Sequence, residues 1–266
     1  MQLLVSVASA TEAAAALGGG ADIVDAKDPR AGALGAVSLD ALREIHAAVN
    51  GARPVTAAIG DAGDEAAIEQ QSFEFADLGT SLVKVGFGGI SSAERIAALI
   101  AAARRGVEAG SRDCSGVVAV GYADDPASVP PAALAAIAAR AGARGVLLDT
   151  ANKRGPGLQA LIDPGTLAAW VAQAHHRGLF VALAGKLTAD DLPFVVDSGA
   201  DIAGVRSAAC ETGRLSLVSV EKVRQLVAAL KGPRYTSSRA GTSVPPHATP
   251  ALKVPIATDR SDPRRR

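Results

Sequence analysis

Short apolar runs rich in β-branched residues alternate with alanine-rich stretches through most of this chain. We interpret eight of the runs as strands: 3–6, 22–27, 55–60, 82–87, 117–122, 145–150, 180–185 and 202–207. They are apolar almost throughout, which is typical of parallel strands covered on both faces. The stretches after them are rich in Ala, Leu, Glu and Arg and predict helices, for example at 11–17, 93–103, 131–140, 164–177 and 220–230.

A recurring joint between helix and strand supports this count. A glycine ends the helical stretch and a strand begins two or three residues later, at Gly20, Gly79, Gly142 and Gly199. Glycine supplies the left-handed conformation that ends many helices. Eight such units predict an α/β protein with a single (β/α)8 TIM barrel as its catalytic domain, over residues 1–231. The alternative is an open doubly wound sheet, which is less favoured because no Gly-x-Gly-x-x-Gly follows the first strand.

Composition changes after residue 231. The segment 232–266 holds seven basic and two acidic residues and six of the 14 prolines, without an apolar period. It predicts a disordered tail that either has no function or docks on an acidic neighbour. The whole chain has 27 basic and 27 acidic residues. Since it lacks the basic surplus of most nucleic-acid-binding proteins, we expect no nucleic-acid partner.

The chain carries no pattern that predicts export or a membrane partner. No apolar run reaches the length of a membrane span, and the N-terminus lacks the positive region of a signal peptide. The two cysteines, Cys114 and Cys210, are far apart, and we interpret both as small apolar residues. These features predict a cytoplasmic protein and leave open its association into a homo-oligomer.

The lysines are the most informative residues for function. Although the chain has 20 arginines and seven lysines, the four lysines of residues 1–221 all lie at or just after a predicted strand end: Lys27, Lys84, Lys153 and Lys186. Those ends form the active-site face of a TIM barrel. Lysine, unlike arginine, can lose its proton when it is desolvated or close to other cations, and the neutral amine attacks carbonyls. The pattern indicates imine chemistry in a pocket with several cations.

Two acidic residues accompany these lysines. Asp25 lies two residues before Lys27, so both side chains face the barrel mouth. Lys84 lies between Val83 and Val85 and is expected to face inward in the same way. Asp149 ends the sixth predicted strand. The candidate catalytic residues are therefore Asp25, Lys27, Lys84, Asp149 and the loop residue Lys153.

The loops after the seventh and eighth strands predict a phosphate site. Such loops often bind phosphate with glycine N–H groups and nearby cations. The candidates here are Gly185, Lys186, Gly204, Arg206 and Ser207. An ordinary tight turn is the alternative. The glycine-rich stretch 86–89 is interpreted as a mobile lid or a second anion loop, and both remain open. With no histidine at a strand end and no cysteine cluster, we expect no metal site.

Four segments together resemble the (5-formylfuran-3-yl)methyl phosphate synthase family, also called 4-(hydroxymethyl)-2-furancarboxaldehyde-phosphate synthases. They are DIVDAKDPRAGALGA at 22–36, LVKVG at 82–86, LDTANK at 148–153 and LAGKL at 183–187. The resemblance covers about residues 1–231 and leaves out the tail. Each segment alone is a weak match, but their order and their places at strand ends make the combination specific.

The resemblance implies a TIM-barrel lyase of methanofuran biosynthesis, in C1 metabolism, without metal or organic cofactor. It implies condensation of two glyceraldehyde 3-phosphate molecules with loss of phosphate and water. The Schiff-base lysine would be Lys27 and the proton acceptor Lys84, with Asp25, Asp149 and Lys153 also essential. From the chemistry of the residues, we expect Asp25 to hold Lys27, and Lys186 and Arg206 to join Lys153 in binding two phosphates.

Two other functions remain open from the sequence. One is a class I aldolase that acts on another phosphorylated sugar through the same lysine imine. The other is a non-enzymatic protein whose lysines only bind a phosphorylated ligand.

Overall fold

The computed structural model describes residues 1–61, 63–110 and 116–231. Within them, eight parallel strands form a closed barrel in chain order, and the first strand pairs with the eighth. The strands are β1 (Gln2–Val7), β2 (Ile23–Ala26), β3 (Val55–Asp61), β4 (Leu82–Gly86), β5 (Gly116–Tyr122), β6 (Gly145–Asp149), β7 (Phe180–Leu183) and β8 (Ile202–Val205). The predicted TIM barrel is confirmed.

Eight α-helices of the described residues surround the barrel. They are α1 (Ala10–Gly19), α2 (Leu39–Val49), α3 (Glu65–Asp77), α4 (Ala93–Gly110), α5 (Pro131–Arg140), α6 (Pro164–His176), α7 (Leu192–Asp197) and α8 (Val220–Lys231). Two short 3₁₀ helices follow β6 and β8, at Leu158–Ala160 and Ser207–Ala209. Each α-helix follows the strand of the same number, as repeated βα units require.

Local sequence accounts for where several helices begin and end. The side chains of Ser9, Ser38 and Asp163 each accept a hydrogen bond from a backbone N–H of the first helical turn. The predicted joint is present at Gly20, which ends α1 with a φ of 91°. Glycine adopts this left-handed conformation without the steric cost that a Cβ atom would add.

Five predicted strands extend beyond the observed ones. The structure ends β2 at Ala26, β4 at Gly86, β6 at Asp149, β7 at Leu183 and β8 at Val205, so Lys27 and Gly185 lie in loops and Ser207 begins a 3₁₀ helix. The apolar runs continue further because the first loop residues are buried as well. As a result, the candidate residues at these positions lie just beyond the strand ends, where the Lys27 N–H still donates to the Val7 carbonyl.

Side chains along the strands alternate between two apolar layers. Leu3, Val5 and Val7 pack outward in the large core between strands and helices. The intervening positions face the barrel interior, where a second cluster includes Leu4, Ile23, Leu82, Leu147, Phe180 and Ile202. This period of two residues is the normal geometry of a β-strand.

Polar residues stand two positions after inward apolar residues on four strands. The pairs are Leu4 with Ser6, Ile23 with Asp25, Leu82 with Lys84, and Leu147 with Asp149. A residue two places further along a strand faces the same side, one layer closer to the carboxyl end. The apolar interior therefore ends in a polar layer at the barrel mouth.

Several features lie away from this mouth. His175, near the end of α6, contacts Asp201 just before β8, with 2.9 Å between Nε2 and Oδ2. Asp201 also accepts a hydrogen bond from the Val181 N–H, so both residues support the amino ends of strands. None of the described helices is both long and apolar enough to cross a membrane. The predicted tail, 232–266, and Cys114 lie outside the described residues.

Candidate active site

A pocket of about 630 Å³, including the space open to solvent, lies at the carboxyl ends of the strands. It is lined by all ten candidate residues from the sequence: Asp25, Lys27, Lys84, Asp149, Lys153, Gly185, Lys186, Gly204, Arg206 and Ser207. The structure therefore brings the predicted catalytic and phosphate-binding residues into one place, while their individual roles stay predictions.

Asp25 is the centre of one buried polar cluster. Its carboxylate forms an ion pair with the Lys84 ammonium. It also accepts hydrogen bonds from Ser6 Oγ at 2.9 Å and from Thr56 Oγ1 at 2.7 Å. Ser6 and Thr56 are the register partners of Asp25 on β1 and β3, so strand pairing itself brings these groups together. Asp25 is fully buried, and these partners compensate its charge.

The expectation that Asp25 holds Lys27 is wrong, because none of the hydrogen bonds and ion pairs of Asp25 in the described residues goes to Lys27. Asp25 contacts Lys84, Ser6 and Thr56, and acts on Lys27 only as a nearby negative charge. The reason is geometric: Lys27 follows the last residue of β2, whereas Lys84 lies inside β4 and faces across the barrel toward Asp25.

Asp149 is the centre of a second cluster. Its Oδ1 lies 2.7 Å from the Lys153 Nζ and accepts a hydrogen bond from the Thr150 N–H at 2.7 Å. Burial alone raises the pKa of Asp149, but the cations Lys153 and Lys27 and these hydrogen bonds outweigh it, so its pKa lies below the usual value. The side chain is therefore a buried carboxylate.

Asp124, two residues after the end of β5, positions the loop that carries Lys153. Its carboxylate accepts hydrogen bonds from the N–H groups of Ala151 and Asn152, at 2.6 and 2.9 Å. The Lys153 ammonium in turn donates to the Thr150 carbonyl at 2.5 Å. Contacts on two sides of the loop thus direct Lys153 toward Asp149.

Lys27 differs from the other two catalytic candidates with an ammonium group. Among the described residues, none forms an ion pair or side-chain hydrogen bond with its Nζ. Burial, with a smaller contribution from the cations Lys84 and Lys153, outweighs the opposing charges of Asp149 and Asp25 and lowers the pKa of Lys27 from 10.5 to about 8. The surroundings of Lys27 therefore favour the neutral amine more than water does.

The loop after β7 has the features of an anion site. The N–H groups of Gly185 and Lys186 have no acceptor within the described residues. Gly185 has a φ of 102° and Lys186 a φ of 59°, a left-handed conformation that is uncommon for a residue with a Cβ. The Lys186 ammonium donates to the Gly155 carbonyl, which joins the loops after β7 and β6. Free N–H groups beside a cation suit a phosphate.

Arg206 lines the pocket, but its guanidinium is occupied by the protein. Nη1 and Nη2 donate to both carboxylate oxygens of Glu12, at 2.5 and 2.9 Å. The remaining N–H groups donate to the carbonyls of Ser6, Arg214 and Ser216. All five donors of the guanidinium are used in this way. The expectation that this side chain binds phosphate is therefore corrected: Arg206 holds the loop after β8 in place.

Sequence reasoning missed four residues that shape this site: Ser6, Glu12, Thr56 and Arg214. A signal existed for Ser6 and Thr56, because Ser6 ends the predicted strand 3–6 and Thr56 lies within the predicted strand 55–60. No signal existed for Glu12 or Arg214, because they come from a helix and a long loop. Only the folded chain brings them to the pocket or to Arg206.

The glycine-rich loop after β4 is held by carboxylates from the neighbouring strand ends. The Gly88 N–H donates to Asp61 at 3.2 Å, and the Gly89 N–H donates to Asp125 at 2.8 Å. The Tyr122 hydroxyl also donates to Asp61, at 2.8 Å. Because these amides already have acceptors, the structure does not support the interpretation of this loop as a second anion site.

The charged side chains at the mouth form lysine–aspartate pairs. Within the described ranges, no group of three or more His, Cys, Asp and Glu side chains is arranged to hold a metal ion. The buried carboxylates Asp25 and Asp149 each form an ion pair with a lysine, and a third lysine, Lys27, lines the same pocket. Fold and site together define a TIM-barrel enzyme with a lysine- and aspartate-lined pocket at the carboxyl ends of its strands.

Comparison with known proteins identifies the family. The family model for 4-HFC-P synthase matches residues 3–227. A (5-formylfuran-3-yl)methyl phosphate synthase from Methanosarcina barkeri is 37% identical over 86% of this chain and 98% of its own length. One from Methanopyrus kandleri is 38% identical with the same coverage. The chain belongs to the (5-formylfuran-3-yl)methyl phosphate synthase family.

The fold is also similar to solved structures of other enzymes. Phosphoribosyl anthranilate isomerase from Thermus thermophilus superposes with a TM-score of 0.61 over 87% of this chain and 98% of its own. Its sequence is only 17% identical, so this likeness shows the shared barrel and nothing about the reaction.

Proposed function

We propose that this protein condenses two molecules of glyceraldehyde 3-phosphate into 4-(hydroxymethyl)-2-furancarboxaldehyde phosphate, as a lyase of methanofuran biosynthesis that uses a lysine Schiff base. The observation that carries the proposal is Lys27, a buried amine without an ionic partner, which lines the same pocket as two lysine–aspartate pairs. The names of the relatives support the product, and the pocket residues support the chemistry.

The first step is imine formation at Lys27. Its neutral amine adds to the aldehyde carbon of one triose, and a water molecule leaves to form the protonated imine. The depressed pKa of Lys27, near 8, supplies the neutral amine near physiological pH. Among the carboxylates, Asp149 has the largest effect on Lys27, and it would stabilise the cationic imine that replaces the ammonium.

The second step removes a proton from the carbon next to the imine. The protonated imine draws the electrons of that C–H bond and makes the proton acidic. Either the Asp149 carboxylate accepts this proton, or Lys84 accepts it after its own ammonium proton has passed to Asp25, and the product is an enamine. The Lys84–Asp25 ion pair gives the proton a route from Lys84 to the Asp25 carboxylate, which Ser6 and Thr56 hold in position.

The enamine carbon then forms a bond with the aldehyde carbon of the second triose. Elimination of one phosphate, ring closure through an oxygen of the substrate, and hydrolysis from Lys27 complete the furan. The atoms balance when two trioses give one product, one inorganic phosphate and two molecules of water. The free N–H groups of Gly185 and Lys186 and the Lys186 ammonium would bind a phosphate during these steps.

The test is incubation of the purified protein with glyceraldehyde 3-phosphate, without added metal and with a chelator present. We expect furan absorbance and inorganic phosphate to appear together, in equal amounts. Borohydride added during the reaction should fix the triose to the peptide that carries Lys27. Phosphate without furan, or furan only after metal is restored, would contradict the proposed reaction.

A matched pair of variants separates imine chemistry from charge. Lys27→Arg keeps the positive charge but cannot form an imine, so product and borohydride adduct should both be lost. Lys222→Arg is the same change on α8, where the ammonium only contacts the Glu211 carbonyl, and should retain both. An adduct on Lys27→Arg would exclude this lysine as the nucleophile. If the wild type gives an adduct but no furan, the result would favour an aldolase. If it gives no adduct and no furan, the result would favour a binding protein.

A further inference from the structure

The pocket contains more positive charge than its carboxylates neutralise. Six cationic side chains line it, and three have a carboxylate partner: Lys84, Lys153 and Arg206. The other three have none within the described part of the chain: Lys27, Lys186 and Arg214. Lys27 is the proposed nucleophile, and Lys186 belongs to the loop after β7. The remaining cation, Arg214, has had no role in the chemistry so far.

Arg214 crosses the mouth from the loop after β8 to the loop after β2. Its Nη2 donates to the Gly32 carbonyl at 2.7 Å, and its Nε points to the Pro29 carbonyl at 3.4 Å. Both acceptors are neutral, so neither removes the charge of the guanidinium. Within the described residues Nη1 has no acceptor, which leaves donors for a ligand in the pocket.

The position of Arg214 is fixed by other residues. Its carbonyl accepts a hydrogen bond from Arg206 Nε at 3.0 Å, and Arg206 is itself held by Glu12. A guanidinium held at both ends loses little side-chain freedom when it binds a ligand. Partial burial and the neighbouring Arg206 both lower the pKa of Arg214, which means that its surroundings disfavour the positive charge. A bound anion would remove this cost.

We propose that Arg214 binds the phosphate of one of the two triose phosphates, while the loop after β7 binds the other. The ligand class is a phosphate monoester dianion, which suits a planar guanidinium with free donors. Because Arg214 also contacts Gly32, it joins the loop that follows Lys27 to the bound phosphate. The inference rests on the proposed function, which requires two phosphates in one pocket.

Calorimetry with glycerol 3-phosphate tests the proposal without any reaction. This compound carries the phosphate but has no carbonyl, so its binding does not depend on an imine at Lys27. We expect two molecules to bind the wild type. In Arg214→Gln one of the two should bind about 10- to 100-fold more weakly, the loss typical of a charge-assisted contact. Arg154→Gln, the same change at an exposed residue outside the pocket lining, should bind both.

Kinetics and a second variant separate binding from a structural role. Arg214→Gln should raise the KM for glyceraldehyde 3-phosphate more than it lowers kcat. Arg214→Lys keeps the charge but not the forked donors, so its affinity should lie between the wild type and Arg214→Gln. This variant also serves if Arg214→Gln fails to fold.

The outcomes are distinct. Two results would overturn the role of Arg214. One is that Arg214→Gln binds glycerol 3-phosphate as tightly as Arg154→Gln does. The other is that Arg214→Lys matches the wild type in affinity at both sites and in KM. A wild type that binds two phosphates but produces no furan would instead overturn the proposed function and leave the phosphate contact intact.

Discussion

The two sides of the pocket are built differently. On the strand side, Ser6, Asp25, Thr56 and Lys84 lie on β1 to β4. All four are buried, and the other three each contact the Asp25 carboxylate. On the loop side, Lys153, Lys186 and Arg214 lie in the loops after β6, β7 and β8 and are partly exposed. Strands hold their side chains rigidly, whereas loops carry adaptable contacts.

This difference matches two requirements of the proposed reaction. Proton transfer needs donor and acceptor within hydrogen-bond distance at a fixed geometry, which the strand side provides. Phosphate binding needs positive charge and free N–H groups that can close on the substrate, which the loop side provides. Changes on the strand side should therefore lower kcat, and changes on the loop side should raise KM.

The largest expected effect is on the strand side. Asp25→Asn removes the charge that neutralises buried Lys84, so we expect kcat to fall by about 10²- to 10⁴-fold. The free energy of unfolding should fall by about 3–5 kcal/mol, since Lys84 stays buried without an ionic partner. Initial rates and urea unfolding measure the two effects.

Glu12→Gln is the control for this loss of stability. It also breaks a buried ion pair, that of Glu12 with Arg206, and should reduce the free energy of unfolding by a similar amount. Glu12 does not line the pocket, so kcat should fall far less than in Asp25→Asn. Equal losses of kcat in the two variants would show that Asp25 acts through stability alone.

The next effect concerns Lys27, which directly follows β2 and lines the same pocket. Below pH 8 the rate of borohydride-trapped imine formation should rise about tenfold per pH unit, and above pH 8 it should level off, because only the neutral amine reacts. A plateau that begins near pH 10 would contradict a lowered pKa for Lys27.

The same pKa shift predicts a pH-dependent cost in stability. The folded pKa, about 8, lies below the ordinary value of 10.5, so the unfolded chain binds the proton more tightly. The cost of about 3 kcal/mol is fully present below pH 8 and disappears as the pH rises to 10.5. Lys27→Met should therefore unfold at higher urea than the wild type at pH 7, with a difference that shrinks by pH 10.

The smallest effect is on the loop side. Lys186→Gly removes a cation and relieves the left-handed backbone at this position, where φ is 59°. We expect the KM for glyceraldehyde 3-phosphate to rise about tenfold with little change in kcat. Lys186→Ala removes the same cation but keeps the strained backbone, so it should be about 1 kcal/mol less stable than Lys186→Gly. Equal unfolding of the two variants would show that the left-handed conformation carries no cost.

Much of this protein could be predicted from its sequence. The eight apolar runs and the glycine joints predict the barrel because each unit shows its own strand, helix and turn preferences locally. The lysines and aspartates at strand ends predict the pocket because a barrel collects all strand ends at one face. Predicted strand ends were too late by one or two residues at Lys27, Gly185 and Ser207, since burial continues beyond the last ladder bond.

The sequence by itself determined the barrel and the set of residues at its mouth, because both follow from patterns local to each βα unit. Which residues contact one another was decided only by the tertiary structure. Asp25 pairs with Lys84 rather than holding Lys27, and Arg206 binds Glu12 rather than facing a substrate. These partners come from elements 59 and 194 residues apart along the chain, and their choice depends on strand register and side-chain direction across the closed barrel. No local pattern encodes such contacts.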